Sequence, residues 1–590
     1  MSSGSASKAT SLIPSPIRAL AFPVTLLGCG LIVTALLPFL GNRDLAYAVF
    51  RAREAEREPD QATLEAIREE LDLPTTPIGG VADWFGKALR GDFGVSWVNP
   101  ARPAAVEALS GFGVSATIAS LSTLTAVVIA TALVLPRLRS VITAKPSKTS
   151  HIIAMAVLGS LPEFVLAVTL LVVFSLHLGW FPVTGFSSVK HMVLPVLSLA
   201  IPAAGLMGRI LLITVDHVAQ EEWVRAWRLN KVTPRQLGLA LLQRSMAILL
   251  PQIVLFFAGT LAATVLIETT FAIPGMGSAA VKAALSRDIP VLQVIVFTAL
   301  IVGLVSGSLA QFLRGKLLKP LLSSDTAYSS QSFAPTHKPK GGWAMIAVLL
   351  PFAVLIVLWF VLPPPMVDSS QRLIPPSAEH IFGTDQLGRD LASRLAAGAV
   401  FSLGTAVAVT AVCAVIGLFL GLAGKWVYKL GDALNALPAV LIGVILAGVL
   451  GASQLTAAIA VMCVGWIPLA AHCATVVEEV RTTGYYRWAE LQGASYSRLL
   501  WVHTMPTLLP AVTRHAASRI AHNALALVSL GFLGLGAAHE SPNWGVVLSE
   551  SIRYAERAPW MMFIPTVLLV LLGIASALVT DTNLSLKRNR

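Results

Sequence analysis

The sequence predicts an all-α integral membrane protein with about 12 transmembrane helices in two similar halves. Three observations lead to this prediction. Hydrophobic residues make up 55% of the 590 residues and charged residues only 13%, whereas soluble domains contain roughly 25% charged residues. Apolar runs of about 20 residues, enough to cross roughly 30 Å of hydrocarbon as helices, recur along the chain. Finally, each half contains a proline that is followed 24 positions later by a glycine, at Pro251 and Gly275 and at Pro510 and Gly534.

The first half is predicted to follow a Ser-rich tail, residues 1–20, and to contain six spans. The first apolar run starts near Ala21 and has no small-residue cleavage site, so we interpret it as a retained span rather than a signal peptide. The predicted spans cover approximately residues 21–40, 114–135, 152–178, 192–215, 246–270 and 290–313.

The second half is predicted to repeat this arrangement after a flexible linker rich in Ser, Pro and Gly, residues 320–342. The two domains are residues 21–319 and 343–582, and a basic tail, residues 583–590, closes the chain. The spans of the second half cover approximately residues 343–362, 400–424, 432–450, 455–476, 511–536 and 561–580.

Basic residues in the short loops predict the orientation, because Lys and Arg concentrate on the cytoplasmic side of a membrane. Their clusters fall on one side if both termini are cytoplasmic, and this explains the net charge of +12 without a nucleic-acid partner. The long loop 41–113 is then extracellular. Within it, the spacing of Leu64, Ile67 and Leu71 predicts an amphipathic helix, whose charged face is either solvated or contacts an extracellular partner.

An internal repeat indicates that the two halves have the same function. Pro251 and Gly275 are 24 positions apart, and so are Pro510 and Gly534. The glycines lie in the related segments FAIPGMG and GFLGLG. Since six spans return the chain to its starting side, the repeat is parallel, and a solute is expected to pass between the halves.

Two polar, amphipathic segments interrupt the apolar pattern, at residues 221–251 and 484–510. Each is predicted to be a water-exposed loop that contains short helices and binds a soluble partner. The alternative is an interfacial helix lying on lipid headgroups, because tryptophans accompany the basic residues. These tryptophans are Trp223, Trp227, Trp488 and Trp501.

Several kinds of chemistry have no support in the sequence. No phosphate-binding loop pattern occurs, so the chain is not expected to hold ATP, and no Gly-x-Ser-x-Gly elbow indicates an enzyme. The histidines are dispersed without ligand spacing, so no metal site is expected. The cysteines lie in apolar runs and are expected to be buried small hydrophobes. They are Cys29, Cys413, Cys463 and Cys473.

Several long motifs resemble the permease subunits of bacterial ATP-binding-cassette importers of the peptide, nickel and opine family. Residues 85–320 resemble the first permease of that pair, through GDFGVSW (91–97), LGWFPVTG (178–185) and IETTFAIPGMGSAAVKAALSRDIPVLQ (267–293). Residues 380–580 resemble the second, through HIFGTDQLGRDLASRLAAGAVFSL (380–403), LQGASYSRLLWVHTMPTLLP (491–510), SLGFLGLG (529–536) and APW (558–560). The resemblance implies two fused type I importer transmembrane domains of six helices each.

In that family, the loop before the fifth span carries a Glu-Ala-Ala, three residues, Gly pattern, and its short helix sits in a groove of the ATPase. Ala489 and Gly493 match the third and last positions of this pattern, but Arg487 and Trp488 depart from it. The first loop departs further, with Lys231 at the glycine position, and is either a degenerate contact or one that fits a different ATPase surface. The candidate coupling residues are Arg487, Trp488, Ala489, Glu490, Gly493 and Ala494 in loop 477–510, and Arg225, Ala226, Leu229, Asn230 and Lys231 in loop 216–245.

Two carboxylates are candidates for the translocation pathway. Glu268 is either a gate or substrate contact, or a structural hydrogen-bond acceptor for the FAIPGMG turn. The repeat places Leu527 at the equivalent position. Glu163 either faces the pathway or marks a break in the span. The candidate gate also includes Pro274, Gly275 and Gly277.

The segment IFGTDQLGRDLASR lies outside the membrane by the predicted topology. In the family, a matching segment helps to form the vestibule where a substrate-binding protein docks, which would involve Asp385, Arg389 and Asp390. The alternatives are a lipid-surface helix, or a helix N-cap at Thr384 or Asp385.

The resemblance implies a cell-membrane permease, not an enzyme, that passes peptides or related small solutes delivered by an extracytoplasmic substrate-binding protein. Two ABC ATPase subunits, or one fused ATPase, would supply the energy, and the chain itself would bind no cofactor. The alternatives are an ion-coupled secondary transporter with 12 spans, a nickel or metallophore permease of opine type, and a receptor or scaffold of permease shape. The sequence does not identify the solute.

Overall fold

The computed structural model describes residues 45–53, 58–71, 73, 77–143, 154–155, 157–159, 161–230, 232–318, 342–423, 439–536 and 541–586. The predicted tail 1–20, the first predicted span 21–40 and nearly all of the linker lie outside these residues. Within them the protein is helical and has no strands.

The first half contains eleven helices in the described residues. Helix α6 continues as a π-helical segment, Leu171–His177. The helices are α1 (Leu45–Arg53), α2 (Gln61–Leu71), α3 (Pro77–Ala88), α4 (Ala104–Leu109), α5 (Phe112–Thr143), α6 (Glu163–Leu170), α7 (Val189–Val218), α8 (Glu222–Leu229), α9 (Pro234–Thr270), α10 (Met276–Leu285) and α11 (Ile289–Leu318).

The second half contains eight longer helices in its described part, with a short helix, Tyr496–Arg498, and a π-helical segment, Leu499–Thr504, leading into α17. The eight helices are α12 (Gly342–Val361), α13 (Leu391–Leu422), α14 (Ala439–Leu450), α15 (Gln454–Thr482), α16 (Gly484–Leu491), α17 (Met505–Phe532), α18 (Trp544–Ser551) and α19 (Trp560–Leu586).

Every predicted span apart from the first overlaps one of these helices. Among the described residues, six helices are long and apolar enough to cross a membrane, and several shorter helices are also apolar. The six are the stretch that joins α4 to α5, together with α7, α9, α11, α13 and α15. Helix α17 is not one of them, although its repeat counterpart α9 is.

Capping side chains determine where several helices begin. Thr233 and Gln236 form a capping box at the start of α9, and Pro234 occupies the first helical position, where no backbone N–H is needed. The carboxylate of Asp390 accepts the backbone N–H of Ser393 at the start of α13. Asp390 is therefore the N-cap of α13, and the prediction of an N-cap at Thr384 or Asp385 is wrong.

The repeat is visible in the order of the helices. Helices α5 to α11 correspond in order to α13 to α19. In each half, the long helix after the loop packs against the first and third helices of this series: α9 against α5 and α7, and α17 against α13 and α15. The shared spacing from proline to glycine thus reflects a shared bundle.

The two halves contact one another through short helices. Helix α14 packs on α10 so closely that a Cβ on Gly448 would lie 3.2 Å from the Cα atom of Ala284. At a second contact, α6 meets α19, and the two helices line a partly open apolar cavity of about 220 Å³. Its walls include Val165 and Leu166 on one side and Val567 and Val570 on the other.

Several predicted boundaries differ from the structure. The loops end earlier than predicted, because α9 begins at Pro234 and the helix leading into α17 begins at Tyr496. Helix α19 continues to Leu586, past the predicted domain end at residue 582. The predicted amphipathic helix in loop 41–113 is confirmed as α2, which buries Ile67.

Candidate functional site

The second loop carries the short helix α16 between α15 and the helix leading into α17. Helix α16 ends at Leu491, and Gly493 follows with φ +76°, a left-handed conformation that glycine adopts at little cost. The backbone N–H of Ala494 donates to the carbonyl oxygen of Ala489 at 3.1 Å and closes the turn. Ser495 then accepts the backbone N–H of Arg498 and starts the next helix.

Helix α16 is held by apolar contacts and presents an aromatic surface. Tyr486 and Ala489 are buried in a cluster with Val476, Val480 and Leu508. The opposite face is exposed: Trp488 is 66% and Leu491 is 85% accessible. Of the predicted coupling residues, Arg487, Glu490 and Gly493 are also exposed, Ala489 is buried and Ala494 is half-buried.

The first loop carries a helix of the same length, α8, which is held differently. Val224 is buried in a separate cluster. Glu221 accepts from Trp223 Nε1 at 2.6 Å and pairs with Arg244 at 3.3 Å, while Arg228 Nη2 donates to the carbonyl oxygen of Val141 at 2.6 Å. Polar contacts therefore anchor α8 where apolar contacts anchor α16.

The predicted coupling residues of the first loop lie on the free face of α8. Arg225, Ala226 and Asn230 are exposed, and Leu229 is 82% accessible. Lys231 lies outside the described residues. Both loops thus present an exposed helix of eight residues at the same point of the repeat.

Glu268 is the acceptor at the start of α10. Its carboxylate accepts from Ser115 Oγ at 2.5 Å and from the backbone N–H of Ser278 at 2.9 Å, and Ser115 Oγ accepts the backbone N–H of Met276. An anion at a helix N-terminus also interacts favourably with the helix dipole. Because Glu268 is fully buried, the structure agrees with the interpretation as a structural acceptor and leaves no exposed surface for a substrate contact.

The predicted gate glycines make room for this carboxylate. A Cβ on Gly275 would lie 2.2 Å from Glu268 Cδ, and a Cβ on Gly277 would lie 2.6 Å from Val265 Cα. Pro274 is exposed beside them. Gly277 also lines a narrow space together with Leu441 of the other half. The turn is therefore close to the contact between the halves.

Glu163 lies at the other contact between the halves. It is the first residue of α6 and is half-buried, and the chain bends at Leu161–Pro162 just before it. The next residue, Phe164, contacts Phe532 of α17 with ring centroids 5.6 Å apart. A new helix starts at Glu163, and the choice between a role in the pathway and a break in the span stays a prediction.

The predicted docking residues are largely buried. Asp385 Oδ2 accepts from Arg389 Nε at 2.7 Å and from Arg394 Nη1 at 3.0 Å, and Arg394 Nη2 pairs with Glu550 at 2.8 Å. Asp390, also half-buried, contacts His380 Nδ1 at 2.8 Å. Two cations and two anions thus neutralise one another inside the protein.

This network leaves little of Asp385 and Arg389 exposed, and the docking of a binding protein at this segment stays a prediction. Asp385 is fully buried and Arg389 nearly so, and their charged groups are engaged in the ion pairs. The sequence placed this segment outside the membrane by the predicted topology, and topology does not determine whether an individual side chain is buried. In this structure, a protein docked at the loop would touch exposed neighbours such as Ile381 and Leu387.

The first half has an equivalent connection that sequence reasoning missed. Asp288, in the turn between α10 and α11, accepts from Ser96 Oγ and from the backbone N–H of Trp97. Ser96 belongs to the segment GDFGVSW, so this motif attaches the outer loop to the bundle. The partners are almost 200 positions apart, and no local pattern indicates the pair.

The cysteine prediction is correct for two residues and wrong for a third. Cys413 and Cys473 are buried, whereas Cys463 is exposed on α15. Cys29 lies outside the described residues.

The fold and the paired loops define a class of protein: a membrane permease of two homologous helical domains in one chain. A family described as "Binding-protein-dependent transport system inner membrane component" matches residues 141–362 and 413–583. The chain belongs to this family. It is a fused pair of permease subunits, and so a transport component rather than an enzyme.

Individual relatives each match about one half of the chain. A putative peptide transport system permease protein of Brucella suis is 30% identical over 249 residues, which is 40% of this chain and 83% of the relative. A dipeptide transport system permease protein of Alkalihalophilus pseudofirmus is 34% identical over 217 residues, covering 35% and 71%. A nickel transport system permease protein of Escherichia coli is 30% identical over 245 residues, covering 40% and 88%.

Proposed function

We propose that the chain forms the membrane path of an ATP-driven importer for peptides or related small solutes, in the cell membrane and with both termini in the cytoplasm. A substrate-binding protein outside the membrane delivers the solute. Two ABC ATPase subunits, or one fused ATPase, bind the cytoplasmic loops and supply the energy. The names of relatives that carry peptides and dipeptides support the choice of solute.

The observation that carries this proposal is the pair of helices α8 and α16. Each is an exposed helix of eight residues fixed between two long helices. A helix held at both ends transmits a rigid-body movement of a bound domain into the membrane bundle. The exposed tryptophan and leucine of α16 are the kind of residues that bury well in a groove of a partner.

The two loops are not equivalent in this proposal. Helix α16 offers Trp488 and Leu491, whereas α8 offers Leu229 beside the cationic Arg225. We therefore propose that the two ATPase grooves differ in chemistry. The loss of the glycine pattern at Lys231 is compatible with a contact that keeps its helix but changes its partner surface.

Reconstitution in vesicles tests the proposal. Vesicles with the chain, its ATPases and its binding protein should take up a short peptide only when ATP is supplied. Accumulation by the chain alone would contradict the proposal and support an ion-coupled transporter. Uptake of a nickel chelate but not of a peptide would identify the nickel alternative, which the nickel-named relative also supports. ATP hydrolysis that ignores both chain and binding protein would favour a scaffold.

A further inference from the structure

The cavity between α6 and α19 is large enough to hold part of an apolar molecule. Its volume is about 220 Å³, whereas a water molecule in the liquid occupies about 30 Å³. An apolar cavity of about 150 Å³ in another protein stays free of water and binds benzene. The space where α6 of the first half meets α19 of the second half therefore has room for more carbon atoms than benzene contains.

The walls of this cavity are almost entirely apolar. Leucine, valine and proline side chains form most of them, and the described lining residues include no charged side chain. The polar wall residues are two threonines. Thr169 Oγ1 donates to the carbonyl oxygen of Val165 within α6, and Thr566 Oγ1 is buried without a hydrogen bond to any described residue. Because a buried water needs about two to four polar partners, these walls favour hydrocarbon over water.

The cavity lies on the side of α6 that is turned away from α17. Phe164 packs against Phe532 of α17, with ring centroids 5.6 Å apart, and is almost completely buried. Leu166 follows two positions later and lines the cavity. Two positions correspond to about 200° around a helix, so Phe164 and Leu166 lie on nearly opposite sides of α6. The cavity therefore borders the outer flank of the bundle rather than its buried core.

Helix α19 shows the same outward side. Val567 lines the cavity and is 38% exposed, and Phe563, about one turn before it, is 65% exposed. Leu569, about 200° around the helix from Val567, is fully buried. An exposed apolar surface therefore borders the cavity. Because α6 and α19 are apolar and belong to predicted spans, we expect this surface to contact the hydrocarbon of the bilayer.

The repeat-related contact between the halves is packed more closely. In the repeat, α6 corresponds to α14 and α19 corresponds to α11, and α14 packs on both α10 and α11. A Cβ on Gly448 of α14 would lie 3.2 Å from the Cα atom of Ala284, and the space beside Leu441 measures only about 30 Å³. The large cavity therefore belongs to one contact and is not a general feature of the repeat.

We propose that this cavity binds an acyl chain of a membrane phospholipid, which inserts between α6 and α19 from the surrounding bilayer. Lipid tails are as apolar as leucine side chains, so the tail exchanges contacts with other tails for contacts with the cavity walls. The bound tail fills the space at the edge of the contact between the halves. Lipids with different tails would then change how readily α6 and α19 separate. The inference requires only that the chain crosses a membrane.

Photolabelling of the full chain in nanodiscs tests the site. The nanodiscs consist of dioleoylphosphatidylcholine with a trace of phosphatidylcholine that carries a diazirine in one tail, and mass spectrometry identifies the labelled residues. The wall residues Leu166 and Val570 should be labelled, although both are only half exposed. Their label is divided by that of Val357, which is 61% exposed on α12 and does not line the cavity. This quotient is the wall-label ratio.

Changes of opposite size separate the cavity from the general lipid surface. Thr169→Phe combined with Leu571→Phe fills the space from both helices and should lower the wall-label ratio about tenfold. Leu161→Ala enlarges the same space and should raise the ratio. Ile346→Phe, at an exposed position of α12, is the control and should leave the ratio unchanged. If the filling pair fails to fold, the change in Leu161→Ala decides the outcome.

Unlabelled walls in the wild-type chain would overturn the proposal, and so would a wall-label ratio that no folded cavity variant changes. Walls filled by the predicted span 21–40 would also stay unlabelled. Excess trileucine distinguishes a lipid tail from an apolar solute: it should leave the label unchanged, and loss of the label would assign the space to the solute path. The measurements use neither ATPase nor binding protein, so their failure is distinct from a failure of the proposed function.

Discussion

The Nη2 atom of Arg394, in the first turn of α13, lies 2.8 Å from Oε2 of Glu550 in α18. The two groups form an ion pair, but Arg394 Nη2 makes no hydrogen bond to Glu550. Arg394 Nη1 donates a hydrogen bond to Asp385 Oδ2 at 3.0 Å. Arg394 is almost completely buried. One guanidinium therefore joins the outer loop to the short helix near the end of the second half.

Arg394→Met should strongly destabilise the protein. The substitution fills much of the same volume but leaves the carboxylates of Asp385 and Glu550 with one cation fewer. Removing one member of a buried ion pair costs about 3–5 kcal/mol of the free energy of unfolding. Thermal unfolding of the purified chain measures the effect.

The control for this prediction is Arg102→Met, which breaks the exposed pair Arg102–Glu107 at 3.1 Å. An exposed pair contributes about 0–1 kcal/mol. Equal shifts in unfolding temperature for the two variants would show that the buried network has no special role in stability.

Gly275→Ala should destabilise the turn before α10. The new Cβ would lie 2.2 Å from the Cδ atom of Glu268, which is fixed by its hydrogen bonds. Overpacking of this kind costs about 1–3 kcal/mol. Gly259→Ala in α9 is the matched control, because its Cβ meets nothing within 4 Å. Since alanine favours helices, the control should be neutral or stabilising by up to about 1 kcal/mol. The unfolding temperature should therefore fall for Gly275→Ala and stay level or rise for Gly259→Ala.

Gly493→Pro should abolish the stimulation of ATP hydrolysis by the binding protein without preventing membrane insertion. Gly493 has φ +76°, which proline cannot adopt, and its backbone N–H donates to the carbonyl oxygen of Glu490. Gly493→Ala should have a smaller effect, at about 1–2 kcal/mol of local strain. ATP hydrolysis by the reconstituted complex is the measurement.

Gly484→Ala provides the comparison at the other end of α16. Gly484 is the first residue of α16, and a Cβ there meets nothing within 4 Å. This variant should couple normally. Full stimulation in Gly493→Pro would refute the assignment of α16 as the coupling helix.

The contact between α1 and α2 should weaken in acid. Arg53 donates two hydrogen bonds to Glu70, at 2.9 and 3.0 Å, and holds the pKa of that carboxyl below its usual value of 4.5. A lowered pKa in the folded protein contributes stability above the unfolded pKa, and this contribution is lost as the pH falls through the folded value. Because Glu70 is about half exposed, the effect should stay below about 1 kcal/mol.

Hydrogen exchange of the α2 amides at pH 7 and below pH 4 measures this effect, with Arg53→Ala as the reference at each pH. The difference in protection between the two chains should shrink in acid. Arg53 Nε also donates to the carbonyl oxygen of Trp97 at 3.0 Å. A difference in protection that persists unchanged in acid would mean that this contact with Trp97, rather than the pair with Glu70, stabilises α2.

The sequence predicted features that repeat along the chain. The length of the apolar runs predicted the positions of the spans, and the spacing of Leu64, Ile67 and Leu71 predicted α2. The proline-to-glycine spacing predicted the correspondence between α9 and α17. These features depend on residues close in sequence, so a linear pattern is enough to find them.

Features made by distant residues were not predictable in this way. Asp288 meets Ser96 and Arg394 meets Glu550 only after the bundle has formed. The spacing of Asp385 and Arg389 indicated an amphipathic surface, but compensation by Arg394 allows both to be buried.

The unequal contacts between the halves have a mechanical consequence. Along α10 and α14, Gly448 allows near-contact of the two backbones, so any separation there loses many dispersion contacts at once. Along α6 and α19, the cavity of about 220 Å³ means that part of this attraction is already absent. The movement that loses fewer dispersion contacts is therefore a rotation about the α10–α14 contact. Such a rotation would separate α6 from α19 and open the conduit between the halves at that edge.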